Sequence, residues 1–140
     1  MSGWFDSKMA GWNRLTEGEK DYLFANPWDA FAIERNSKLA LDEAARRFGK
    51  GSLHNGAGDA FRHCYWNALL ARDLGKSNAI AFSSAHENFP NNPAKERDMD
   101  LHNNSVGSEI GAANPSVSDA VLANLCFDAL QSGRLKVIRP

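Results

Sequence analysis

The run Gly58-Asp59-Ala60-Phe61-Arg62-His63-Cys64-Tyr65-Trp66-Asn67-Ala68-Leu69-Leu70 has enough apolar and aromatic residues for a core helix, yet Asp, Arg, His and Asn interrupt it. At 3.6 residues per turn, Asp59, His63 and Asn67 fall on one side, with Arg62 and Trp66 in the adjacent row. A helix that only packs has no use for such a stripe, because each unpaired buried polar group costs roughly 1–3 kcal/mol. The stripe therefore points to an inward-facing polar site.

The flanking sequence reads as more helices. Thr16-Glu17-Gly18-Glu19 has capping-box spacing and predicts a short helix through Tyr22, Leu23 and Phe24. Asn26-Pro27 reads as N-cap plus N1 proline of a helix reaching Phe48, with Trp28, Phe31, Ala32, Ala40, Ala44 and Phe48 as its apolar stripe. Asn36-Ser37 could bend it, and Gly49 stops it. The central helix follows from about Ala57 to Leu74. Ser77 predicts a helix over 78–89, and Asn92-Pro93 predicts another to about Ala112. Ser116–Asp119 caps a last helix ending at Gly133. Leu135–Ile138 reads as a short strand or an extended tail. No alternating strand series and no repeat appears, so the expected fold is a single all-α domain of five to seven helices. Residues 1–14 form an N-terminal arm, 15–133 the helical core and 134–140 the tail. Trp4, Phe5 and Trp12 of the arm read as packing against the core or as a docking patch.

Composition narrows the function classes. A chain of 140 residues can bury about two-thirds of its unfolded surface, enough for a real core. A formal net charge of -1 offers no electrostatic footprint for nucleic acid, which places a nuclease third; its groove would use Arg46, Arg47, Lys50 and Arg62. Cys64 and Cys126 read as small buried hydrophobes rather than a disulfide, and the absence of CxxC removes a cysteine zinc site. No apolar run reaches ~18 residues, so no transmembrane segment is expected. The first residues lack a Sec signal, which implies synthesis in the cytoplasm and, if the protein is exported, another route.

Asp59-x-x-x-His63 is matched by Asp98-x-x-x-His102 on another helix, with His86-Glu87 between them. Such spacing presents two ligands on one helix face. Three helices could then converge His63, His86 and His102, with a carboxylate, on one divalent metal ion, zinc first. The same spacing serves acid–base catalysis. In that reading His63 is the base, Asp59 or Glu87 its partner, and Arg62 or the Asn67 amide binds the developing anion. His54, in a loop, carries no special weight. Asn103-Asn104 inside a helix suggests amides bonded to something specific, a substrate or a neighbouring helix end; the bland alternative is a helix break there. Asn103 and Trp66 are the candidate substrate-binding residues, although Trp66 reads equally as core. Gly107 and Gly111, four apart, read as a close helix contact.

Three blocks in order, Asp59–Leu70, Ala85-His86-Glu87 and Met99-Asp100-Leu101-His102-Asn103-Asn104-Ser105-Val106-Gly107, carry a family likeness. They resemble a bacterial domain found alone or at the C-terminal ends of Rhs-repeat and wall-associated polymorphic toxins, with the pattern DAFRHAYWNALL, AHE, MDLHNN-x-x-G. The likeness covers residues 57–107. Cys64 replaces an Ala of that pattern, and Ser108 an Arg. The resemblance implies a damaging, hydrolase-like activity delivered to a competitor, with an immunity or carrier protein as partner. It makes Asp100 the acidic motif position on the His102 helix, whereas spacing alone favours Asp98. A weaker likeness runs to bacterial phospholipases A2, through Arg62-His63 and Asn67, without the Asp that follows His there. The reading is therefore a toxin-type hydrolase acting on a phosphoester or lipid ester. The alternative from another class is a non-catalytic binding or adaptor domain whose polar residues form a buried network.

Overall fold

The computed structural model describes residues 14–139, so the expected packing of Trp4, Phe5 and Trp12 lies outside the described residues. Among the described residues, six complete α-helices follow one another: α1 Glu17–Ala25, α2 Ala30–Phe48, α3 Ala57–Leu74, α4 Lys76–Glu87, α5 Ala94–Ala113 and α6 Asp119–Gln131. Short 3-10 turns at Pro27–Asp29 and Lys50–Ser52 precede α2 and α3. The described residues contain no strand, and the all-α expectation holds.

Local chemistry sets most boundaries. The capping box at α1 forms in both directions: Glu19 N–H donates to Thr16 Oγ1 at 3.0 Å, and Thr16 N–H donates to Glu19 Oε1 at 2.8 Å. Two asparagines behave differently from expectation. Asn26 and Asn92 do not cap the helices that follow them. The Asn26 amide donates back to Tyr22 O, and the Asn92 amide back to Glu87 O, so each ties off the preceding helix. The backbone then turns through Pro27–Asp29 before α2 begins, and Ala40, Ala44 and Phe48 of its expected stripe do face the core. Its core face is Ile33, Asn36, Ala40 and Ala44, while Trp28 and Phe31 stand 94% and 78% exposed instead of lining the stripe. Helix α2 runs unbroken through Asn36-Ser37, because buried Asn36 finds partners in Asp73 and Arg35. Helix α4 starts and ends about two residues before the expected bounds.

Helix α3 is the axis of the domain. Every residue from Gly58 to Ala71 except Arg62 is buried. Helices α2, α4, α5 and α6 all pack on it. Fully buried Phe61, Leu69 and Leu70 each contribute roughly 1.5–3 kcal/mol through removal of apolar surface from water. Cys64 and Cys126 are buried and free, as expected. Their thiols meet, and that hydrogen bond together with burial pushes the Cys126 thiol far up.

The tightest contact lies between α3 and α5. A Cβ at Gly107 would sit 2.1 Å from Cys64 O, and one at Gly111 would sit 2.1 Å from Ala68 O. Both contacts advance by one turn in the same chain direction, so the two helices run parallel there, backbone on backbone. The tail after α6 is extended rather than a strand. Asn103 clamps it, donating to Lys136 O at 2.9 Å and accepting from Lys136 N–H at 2.8 Å. Ile138 and Arg139 N–H both donate to Asn55 O.

Backbone cannot yield as a side-chain end can, so Gly107→Ala and Gly111→Ala should each destabilise the fold by about 3 kcal/mol or more in chemical denaturation. Gly51→Ala, where an added Cβ meets nothing within 4 Å, should stay within about 0.5 kcal/mol of the parent. Equal, small losses at all three positions would contradict the close helix contact.

Candidate active site

The polar stripe on α3 closes a bonded unit. Asp59 is 3% exposed and His63 is 4% exposed. Asp59 Oδ2 accepts the Asn55 N–H at 2.7 Å, and Asp59 Oδ1 accepts from Arg62 Nη2 at 3.0 Å. His63 Nδ1 lies 3.0 Å from Asp59 O and 3.1 Å from Asp59 Oδ1. With oxygen acceptors on both sides, that nitrogen carries the proton. The opposite nitrogen, Nε2, faces two carboxylates, Glu87 Oε2 and Asp100 Oδ2, each 3.6 Å away. Glu87 comes from the last residue of α4 and is steadied by the Asn104 amide of α5 at 3.0 Å. Asp100 comes from α5, and its Oδ1 is buried without a hydrogen-bond partner among the described residues.

These environments push the titrations apart. Burial alone would raise Asp59, but its bond to His63, the His63 charge, the Asn55 N–H and Arg62 hold it far below the usual carboxylate range. Burial opposes the charged form of His63; the Asp59 bond, helped by the charge of Asp100, outweighs burial and Arg62 and leaves its pKa raised. Asp100 is pushed up to about 6, first by burial, with Glu87 and Asp59 adding to the rise against His63 and Arg62.

A cleft of about 60 Å³ opens beside His63, lined by Ser37, Ala40, Arg62, His63, Trp66 and His86. His86 reaches the cleft wall but donates from Nδ1 to Glu19 Oε2 at 2.9 Å and meets Trp66 edge-on at 5.3 Å between ring centroids. Burial opposes ionisation of Glu19, yet the His86 bond and charge and the Thr16 N–H lower it overall.

The three-histidine convergence expected from spacing does not form. Among the described residues, the cluster able to hold an ion is Asp59, His63 and Asp100, with one ligand atom each within 4.8 Å of the others. His86 is turned to Glu19. His102 donates from Nε2 to Arg134 O at 2.8 Å and so secures the tail. Asp98 is exposed, and Asp100 is the residue that faces His63. Asn103 holds the tail and does not reach the cleft. Asn67 spends its amide on His63 O at 3.0 Å, which leaves its buried Oδ1 unpartnered. Helix α5 runs straight through Asn103-Asn104, because both amides have tertiary partners. Glu19 and Asn55 were absent from the candidates, whereas Asn104 was expected only to bond something specific and does so at Glu87, at the end of the neighbouring helix. A glutamate inside a capping box and an asparagine in a glycine-rich loop carry no local sign of a distant partner. Of the basic residues considered for a nuclease groove, Arg46 and Arg47 both pair with Glu43, and Arg47 lies over the Phe61 and Phe127 rings.

Residues 20–134 match the model of a family described as a domain of unknown function, DUF6973. The chain belongs to the DUF6973 family. The match spans all six helices except the first residues of α1, so the Asp59–His63–Glu87–Asp100 cluster lies wholly within the DUF6973 domain. No solved structure matches this DUF6973 chain. No helix of the described residues is long and apolar enough to cross a membrane.

Asp100 and His63 both hold their protons more tightly when folded than when unfolded. Asp100 therefore favours the fold most below its ordinary carboxylate value and loses that contribution as pH rises from there through about 6, whereas the contribution of His63 persists up to its ordinary imidazole value and is lost above it. Asp59 acts in reverse, its contribution fading as pH falls below the ordinary carboxylate value. In metal-free protein, Asp100→Asn should gain about 2–3 kcal/mol at pH 8 relative to its effect at pH 4, on the scale of about 1.4 kcal/mol per unit. Urea melts at the two pH values measure this; a pH-independent effect would show that Asp100 is not forced into its neutral form.

Proposed function

We propose that the His63 cleft is the active site of a hydrolase in which a divalent cation, held by His63 and Asp100 of the cluster, with Asp59 behind the ring and Glu87 on the other side of Nε2, activates water against an ester or phosphoester bond. One observation carries the reading: His63 Nδ1 is secured by Asp59, and Nε2 is aimed between the carboxylates of buried Glu87 and half-buried Asp100. A carboxylate that orients a ligating imidazole from behind is a recurrent support for metal sites. Charge balance argues in the same direction. Glu19, Asp59, Glu87 and Asp100 are four carboxylates in and beside the cleft, against Arg62 and two imidazoles, so even with both imidazoles charged one negative charge is left over. A cation would take up that excess and release the protons held by His63 and Asp100. One imidazole with two carboxylates is an oxygen-rich donor set, which moves the preference from zinc towards manganese.

The bound ion would lower the pKa of its water and polarise the scissile group, with Arg62 beside the cleft to stabilise the developing anion. The likeness of the three sequence blocks to polymorphic-toxin domains supports placing this hydrolysis in a toxin or effector, countered by an immunity protein. A purely structural network accounts less well for the arrangement. Such a network would have satisfied the buried Asp100 Oδ1 and drawn Nε2 to within hydrogen-bond distance of a partner.

Metal content by plasma mass spectrometry and turnover of bis(p-nitrophenyl) phosphate and p-nitrophenyl butyrate test the reading together. His63→Ala should lose the ion and about 100-fold or more of the activity. His102→Gln, whose change lies at the tail, should keep both. Activity retained in His63→Ala at unchanged protein stability would overturn the proposal.

A further inference from the structure

His86 stands beside the His63 cluster without taking part in it. Its ring lines the same cleft, but comes from α4 rather than α3. Its Nδ1 donates to Glu19 Oε2 at 2.9 Å. Glu19 is 3% exposed, and its other oxygen, Oε1, accepts the Thr16 N–H at 2.8 Å, so the carboxylate is fixed at both ends. His86 Nε2 has no hydrogen bond among the described residues, yet it is not one of the buried atoms left without a partner. The side chain is 43% exposed, and solvent reaches that nitrogen. An imidazole held at Nδ1 by a carboxylate and open at Nε2 is set up for proton transfer. The bond is not needed to attach α1 to α4. Thr16 Oγ1 donates to Ala85 O at 2.8 Å, a Cβ at Gly18 would sit 3.0 Å from Ala85 Cβ, and Tyr22 meets Phe82 edge-on at 5.4 Å between ring centroids. A buried carboxylate behind a ring that water reaches adds a desolvation cost that those contacts do not require.

We infer that His86 is the general acid of the site, its Nε2 giving a proton to the leaving oxygen as the ester bond breaks, with Glu19 as its positioning residue. This rests on the hydrolase reading above and assigns the half of the reaction that the His63 cluster leaves open. His63 and His86 share the same backing, a buried carboxylate at Nδ1, and differ in front. His63 Nε2 faces Glu87 and Asp100, a place for a cation. His86 lies outside the group able to hold an ion, so its Nε2 is left for whatever the cleft holds. The activated water thus belongs to the His63 side and the proton to the His86 side. As the water oxygen bonds to the carbonyl carbon or phosphorus, the bond to the leaving oxygen breaks and that oxygen keeps the electron pair. The Nε2 proton of the His86 imidazolium passes to it, and the alcohol leaves neutral. The ring, still donating from Nδ1 to Glu19, recovers its proton from the next water to be activated. Glu19 stabilises the imidazolium without taking its proton.

Leaving-group dependence reads this role directly, because nitrophenolate departs without a proton and phenolate needs one far more. The full chain, loaded with manganese, is assayed on p-nitrophenyl against phenyl butyrate and on bis(p-nitrophenyl) against diphenyl phosphate. His86→Gln should lose about 100-fold or more in kcat on the phenyl member of the cleaved pair and only about threefold on the nitrophenyl member. Glu19→Gln should show the same selectivity at smaller size, about tenfold on the phenyl member, and decides the matter if His86→Gln folds poorly. Both variants should keep the ion by plasma mass spectrometry, since neither side chain belongs to the Asp59–His63–Asp100 group. Independently of turnover, long-range proton–nitrogen spectra of the metal-free chain should place the proton of the neutral His86 ring on Nδ1, the His86 signals being those lost in His86→Gln. Equal losses on both leaving groups, an unchanged kcat in His86→Gln, or a neutral ring protonated at Nε2 each overturns the inference and leaves the hydrolase standing. A parent that cleaves neither pair overturns the hydrolase reading and this role with it.

Discussion

The backbone contact of α5 on α3 is the constraint on which the rest of the structure depends. Gly107 and Gly111 let α5 lie against Cys64 O and Ala68 O, and no side chain could occupy that space. The closeness has a consequence two turns earlier along α5. It brings Asp100 to the α3 surface, where it meets His63, and brings Asn104, one turn before Gly107, to Glu87 at the end of α4. A wider separation between the helices would leave these side chains short of their partners. The glycines thus set the distance across which the site is built, although neither touches it.

The site is expensive in isolation and is held by what surrounds it. Burying Asp59, His63 and Glu87 strips them of water, and one broken partner in such a unit leaves a charge uncompensated. The arrangement answers this from several elements at once. A backbone N–H from Asn55, the guanidinium of Arg62 and the His63 ring share one carboxylate, and the tail fastens Asn55 through its carbonyl. The tail itself is fastened by His102 and Asn103. Two residues whose types suggested ligand or substrate contact therefore support the site at one remove. Among the described residues, Asp100 Oδ1, Arg62 Nε and Trp66 Nε1 are buried without a partner. Asn67 Oδ1 and Asn104 Oδ1 are the other buried atoms in that state among the described residues.

Much of the architecture was legible because helices announce themselves locally. The Thr16–Glu19 box, the glycine at 49 and the Asp59–His63 spacing each depend on residues within one turn of one another. Phase was less legible. Asn26-Pro27 has the composition of a helix start, but it opens a 3-10 turn that holds Trp28, and Trp28 and Phe31 face outward while Ala40 and Ala44 of the same expected stripe are buried. The second acidic pair failed for a related reason. Asp98 and His102 share a face of α5, yet that face meets solvent and the tail, and Asp100 lies on the face that meets α3. Spacing shows which residues travel together on a helix and is silent about which side turns inward.

By itself, then, the chain's sequence determined an all-helical domain, a central helix with an inward polar stripe, and an Asp59–His63 pair four residues apart. All of these arise from short-range periodicity. Only the tertiary structure decided that Glu87 and Asp100, rather than His86 and His102, complete the cluster, and that Glu19 from a distant capping box claims His86. Those choices follow from the depth of the glycine contact and from where three separate helices end, quantities set by packing between residues far apart in the chain and encoded in no local pattern.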